Sequence, residues 1–227
     1  MKQPFVTNSL REFSRKEDCS FCRRSTEEIA THLRIASYGK FFLSPGIRPS
    51  YDLQVVPREG FRYETFWMAG KGRSVPVLVG AATLEKIPNV FHDLISLLGP
   101  VRVTLESSHG VSQGRKLRRE YTRWMDLPVL ESYLLEFEPM FLRDGCSGIS
   151  LADETAGVEV RLDEHKLFLV YGNRTEEFAG IFRSHGMQYD MDLPLITDGE
   201  HVHLTSHAWY RKFLKMAKRM EGTCREG

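Results

Sequence analysis

The stretch Val103-Thr104-Leu105-Glu106-Ser107-Ser108-His109, followed by Arg115-Lys116-Leu117, returns near the end of the chain as Val202-His203-Leu204-Thr205-Ser206-His207, followed by Arg211-Lys212-Phe213. Two fainter echoes keep the same order: Phe41-Phe42-Leu43-Ser44-Pro45-Gly46 against Met140-Phe141-Leu142-Arg143-Asp144-Gly145, and Leu78-Val79-Gly80 against Leu169-Val170-Tyr171-Gly172. A segment copied within a chain is one supersecondary unit used twice, so the repetition bears on architecture before it bears on chemistry.

Working outward, Ser25-Thr26-Glu27-Glu28 places a hydroxyl three residues before a carboxylate and predicts a helix start, with Ile29, His32, Leu33 and Ala36 on one face. Short apolar runs between breakers from Phe41 to Ala81 predict an antiparallel meander. Pro88 opens a second helix with an apolar stripe of Val90, Phe91, Leu94, Ile95 and Leu98, and Val101, Val103 and Leu105 alternate as a strand. The basic segment 114–124 reads as a helix from the spacing of Leu117, Tyr121 and Trp124. The second half follows suit. The latter part of 130–141 is taken as a strand by analogy with 40–43, then come a meander over 149–171, a helix from Thr175, short strands at 189–195 and 202–204 around Asp198-Gly199, and a closing helix.

The expected fold is therefore α+β: two tandem repeats of helix, antiparallel meander of about four strands, helix and strand, in a pseudo-twofold arrangement with helices packed on antiparallel sheet. Residues 1–24 read as a loose arm, 25–125 as the first repeat and 126–227 as the second.

A 41% hydrophobic and 27% charged composition is that of an ordinary globular chain, and a formal charge of +1 excludes a protein that is basic or acidic as a whole. No apolar run approaches the roughly 18–20 residues that cross a bilayer, and the N-terminus lacks a signal-peptide pattern, so a cytoplasmic protein without membrane contact is expected. Four cysteines in 227 residues are too sparse for a disulfide scaffold.

Three groups of residues bear on chemistry. Ser108 and Ser206 stand where a strand passes into an expected helix, and capping explains them. The alternative is an anion or ligand site at the helix starts, made by Ser108, His109, Arg115 and Lys116 in one half and Ser206, His207, Arg211 and Lys212 in the other. The two expected basic helices carry equal charge, with Arg118, Arg119 and Arg123 matched by Lys215, Lys218 and Arg219; a solvated face accounts for them, and a groove for nucleic acid is the rival. Cys19-Ser20-Phe21-Cys22 is a lone Cys-x-x-Cys. A structural zinc there needs a second ligand pair, which His201-Val202-His203 would supply from one strand face if the termini meet.

No glycine-rich phosphate loop, nucleophile elbow or His-Glu-x-x-His motif is present. The expected function is a binding or protein-interaction module taking a protein partner or a small anionic ligand at the repeat junction. The rivals are a nucleic-acid-binding protein and an enzyme with a site around His109 and His207.

Overall fold

In a computed structural model of the chain, residues 5–8, 19–68, 72–110 and 118–222 are described. Their strands, in chain order, are β1 (Phe5–Asn8), β2 (Ser37–Tyr38), β3 (Phe41–Phe42), β4 (Ile47–Pro49), β5 (Gly60–Met68), β6 (Arg73–Ala81), β7 (Val101–Ser107), β8 (Arg118–Met125), β9 (Ser147–Asp153), β10 (Val158–Leu162), β11 (Leu167–Tyr171) and β12 (His201–Thr205). The helices are α1 (Thr26–Leu33), α2 (Ile87–Ile95), α3 (Leu127–Arg143), α4 (Thr175–Ser184) and α5 (His207–Gly222). The protein is thus mixed α+β with antiparallel sheets, as the sequence predicts. None of the described helices is long and apolar enough to cross a membrane.

Seven strands form one antiparallel sheet in the order β5-β6-β11-β10-β9-β7-β8, and β1-β12-β4 form a second. Phe5–Asn8, within the segment read as an arm, runs antiparallel to β12. The large sheet draws strands from both halves of the chain, meeting where β6 pairs with β11 through Leu78↔Val170 and Val79↔Leu169.

Local chemistry explains the helices. In α1 the Glu28 amide donates to Ser25 Oγ at 3.2 Å and the Ser25 amide to Glu28 Oε2 at 2.7 Å, so two amides orphaned at a helix start are both satisfied. Pro88 sits in the first turn of α2, whose Val90, Phe91, Leu94 and Ile95 are all buried. With α3 and α4, α2 covers one face of the large sheet, and the core there joins these residues to Val103, Leu105, Ile149, Leu151, Phe168, Phe178 and Phe182. The opposite face is divided. Over β6 and β11 it is apolar, with Val77, Val79 and Leu167 packed under Phe41, Leu43, Leu193 and Ile196. On β10, β9 and β7 it carries Arg161, Glu159, Ser150 and Glu106, joined by Ser150 Oγ donating to Glu159 at 2.6 Å and Arg161 Nη2 lying 3.2 Å from Glu106.

Three expectations are corrected. Residues 118–125 form a strand: β8 pairs with β7 from Val101↔Met125 to Ser107↔Arg118, a bulge falls between Arg102 and Thr104, and the Val103 amide donates to Thr122 Oγ1 there. Cross-strand pairing of Glu106 with Arg119, 2.9 Å apart, outweighs a helical spacing that rested on three residues. The latter part of 130–141 is helix, because Leu130, Phe137, Met140 and Phe141 fall on one buried stripe of α3 in spite of Pro139. Of the two short strands expected around Asp198-Gly199, 189–195 forms none beyond a single bridge from Tyr189 to Phe61, and 196–198 between them is a short 3₁₀ helix.

Candidate metal centre

Four segments distant in sequence bring their polar residues to one place. They are the end of β7 (Ser107 to His109), the link from α3 to β9 (Asp144 to Ser147), the turn from β10 to β11 (Asp163 to Lys166) and β12 (His201 to Thr205).

The deeper part is a hydrogen-bonded knot around Asp144, which is fully buried. Its carboxylate accepts from the hydroxyls of Thr205 and Ser147 and lies 3.2 Å from His109 Nε2. Burial pushes the Asp144 carboxyl up, but the His109, Ser147 and Thr205 contacts outweigh it and hold it below the usual carboxylate value. His109 uses both ring nitrogens, Nδ1 at 2.7 Å from Ser107 Oγ and Nε2 at 2.9 Å from Thr205 Oγ1, and stacks on Tyr210. With both nitrogens engaged, His109 is a poor metal ligand although Asp144 and Cys146 stand close by. The knot positions its neighbours.

Between Asp144 and Cys146, Gly145 uses its carbonyl to accept the Nδ1 proton of His203, and its amide donates to the Leu204 carbonyl at 3.0 Å. Such close approach to Gly46 and to β12 requires glycine, since a Cβ on Gly145 would stand 2.0 Å from the Gly46 carbonyl oxygen and 3.0 Å from the Leu204 nitrogen.

Above the knot, His165, His201 and His203 face one another with ring centroids 4.9, 4.9 and 5.2 Å apart. His201 and His203 share a face of β12 because alternate strand residues do. The third ring comes from the β10–β11 turn. There Asp163 Oδ1 accepts from the amides of His165 and Leu167, both at 2.9 Å, and Lys166 takes φ +66° while burying its ammonium against the Ser147 carbonyl at 3.0 Å. A lysine in the left-handed region costs roughly 1–2 kcal/mol.

Each of the three rings gives its Nδ1 proton to an oxygen: His165 to Asp163 Oδ2 at 2.7 Å, His201 to the Gly199 carbonyl at 2.9 Å, and His203 to the Gly145 carbonyl. An acceptor at Nδ1 fixes the tautomer, so the lone pair of each neutral ring lies on Nε2. One ligand atom from each ring can be chosen so that all three lie within 4.8 Å of one another. Burial, then the charge of His165, lowers His201 to about 4; burial and His165 lower His203 to about 4 as well. At His165 burial acts downward, but the charge and hydrogen bond of Asp163 prevail and raise it. Burial lowers Lys166 against the pull of Asp144, Asp163 and Glu164. Metal ligation takes all three rings in the neutral form, and in that state Asp144, Asp163 and Glu164 against the one Lys166 ammonium leave two negative charges in excess.

No family model, curated protein or solved structure matches this chain. The geometry therefore stands on its own.

Beside His165 opens a cavity of about 180 Å³, bounded also by Glu106, Arg119, Arg161, Asp163 and Glu164. That is room for several waters or a small ligand.

Of the residues singled out from sequence, His201 and His203 come together and His109 lies just below them. Cys19 and Cys22 do not join them. They form a tight turn, the Cys22 amide donating to the Cys19 carbonyl at 3.1 Å, and Cys19 is turned to Glu200, whose carboxylate takes the Ser20 amide. Ser206 caps α5, accepting from the Trp209 amide at 3.3 Å, whereas the Ser108 hydroxyl donates to Glu164, and the next described element after it is the strand β8. His207 and Arg211 are exposed on α5, and Lys212 lies over Trp209 and Phe137. Lys215 and Arg219 are both paired with Glu136 of α3, and Lys218 is exposed. Arg115, Lys116 and the side chains of Arg118 and Arg123 lie outside the described residues. With 118–125 a strand, the matched pair of basic helices does not form. Sequence reading missed His165, Asp163, Asp144 and Lys166; the one local signal was an aspartate two residues before a histidine in a hairpin turn.

Proposed function

We propose that the protein binds a divalent first-row transition metal through Nε2 of His165, His201 and His203, with a further coordination position turned toward the cavity beside His165. The observation that carries this reading is that all three rings have Nδ1 held by an oxygen, the outer-shell pattern of metal-ligating histidines. Closing the rings onto zinc, with Zn–N of about 2.0–2.1 Å, draws the nitrogens to about 3.3 Å apart. With the rings neutral in the bound state, the two negative charges then in excess around the cluster offset those of a divalent cation. Three imidazoles and an open position form the ligand set of a metal that polarises a bound water or ligand oxygen.

The two-repeat, pseudo-twofold reading frames this site. It is supported by the β6–β11 register, in which Leu78 pairs with Val170 and Val79 with Leu169, the exchange a dyad between the two echoes demands. Contact between Gly46 and Gly145, at matching places of another echo, supports it too. On this reading the ligand of the repeat junction expected from sequence is bound at the metal and its cavity.

Equilibrium dialysis against zinc tests the proposal. One tightly held zinc per chain is expected, lost in the His165→Ala/His201→Ala/His203→Ala variant and retained in Cys19→Ser/Cys22→Ser. Asp163→Asn keeps the turn's acceptor but removes the charge behind His165, and should weaken zinc binding about 10- to 100-fold. Undiminished binding by the triple histidine variant, or no binding by the parent protein, rejects it.

A further inference from the structure

Resting on the metal reading, we infer that the ligand of this centre carries a carboxylate or phosphate-type oxyanion, gripped by Arg161 and Arg119 in the cavity beside His165. Arg161 stands near the centre of the large sheet, on the face away from α2 and α4, with its guanidinium 5.9 Å from the centroid of the Tyr171 ring. Its Nη2 is 3.2 Å from Glu106 Oε1 and 3.6 Å from Glu159 Oε1. Arg119 Nε takes the same Glu106 oxygen at 2.9 Å. Two guanidiniums therefore share one carboxylate oxygen and have donors to spare, and the buried Arg161 Nε meets no acceptor among the described residues. A buried donor without an acceptor is costly and calls for a partner.

The acids in the cavity wall are already committed. Asp163 serves the His165 ring and two backbone amides, Glu164 accepts from Ser108, and Glu106 lies between the arginines. What the wall leaves for a ligand is the guanidinium donors on one side and the coordination position at His165 on the other. A planar fork of donors suits the paired oxygens of a carboxylate or phosphate. A small oxyanion can bridge the two.

The test is calorimetric titration of the cobalt-loaded and the metal-free full chain with methylphosphonate and with acetate, on the parent protein, Arg161→Gln and Arg119→Gln. Cobalt affinity is measured on each protein, and thermal unfolding confirms that each is folded. The inference expects at least one of the two anions to bind the cobalt-loaded parent and to lose at least tenfold in affinity in Arg161→Gln, with cobalt affinity unchanged. Which anion binds more tightly assigns the headgroup. Anion binding that ignores both arginine substitutions means that the anion sits on the metal alone, and overturns the inference while sparing the metal. Absence of binding by either anion to the cobalt-loaded parent also overturns it. If cobalt does not bind, the metal reading falls; an arginine-dependent response of the metal-free chain then keeps the oxyanion pocket, and no response removes it.

Discussion

Asp144→Ala lowers the free energy of unfolding by about 3–5 kcal/mol, the cost of stripping one partner from a buried charge pair. The carboxylate is wholly buried and collects the Thr205 and Ser147 hydroxyls and His109 Nε2, with the Lys166 ammonium in its field. Alanine leaves these donors facing a void. Urea denaturation at neutral pH checks it; a variant within 1 kcal/mol of the parent, on the order of one ordinary hydrogen bond, would show that the knot is ornamental. The pH dependence has a definite sign. The folded Asp144 is held below its ordinary value, so its contribution is complete above the unfolded value of about 3.9 and is lost as pH falls from there through the folded value. The urea midpoint should fall on acidification below about pH 4, and Asp144→Asn should flatten that part of the profile.

Gly145→Ala is expected to cost at least about 3 kcal/mol, the upper end of what overpacking a core costs, because the added Cβ meets backbone that has no rotamer to escape into. It would lie 2.0 Å from the Gly46 oxygen, 2.9 Å from its carbonyl carbon and 3.0 Å from the Leu204 nitrogen. Gly46→Ala attacks the same contact from the other side, at 2.4 Å from the Gly145 nitrogen, so the double variant should cost clearly less than the two singles together. Because the Gly145 carbonyl orients His203, Gly145→Ala should also weaken metal binding, whereas Asp52→Ala at the exposed surface should not. Thermal unfolding and zinc dialysis on the same preparations separate the two effects. An additive double variant would remove the glycine contact as the cause.

How much of this was legible before the fold is instructive residue by residue. The Ser25–Glu28 capping box, Pro88 and the alternating strands are local signals, and the structure follows them. Strand alternation also put His201 and His203 on one face, and it holds. Analogy between the repeats misled where the halves diverge: 130–143 took its periodicity from Leu130, Phe137 and Phe141 and is helix, and 118–125 found a cross-strand partner in Glu106 and is strand. The same divergence separates the two serines, Ser206 opening a helix and Ser108 tying β7 to the β10–β11 turn. His165 lies 36 positions from His201, and only the packing of the turn at Asp163–Lys166 over β12 makes them neighbours. Spacing along the chain carries no trace of that. The cysteine pair attracted notice as a short motif, yet its surroundings are Glu200 and the turn itself.

X-ray absorption at the zinc edge of the zinc-loaded full chain tests the central claim most directly. Three imidazole nitrogens at about 2.0 Å, completed by an oxygen scatterer and free of sulfur, are predicted, with one imidazole fewer in His203→Ala. Sulfur at about 2.3 Å would place the metal on a cysteine instead and contradict the account.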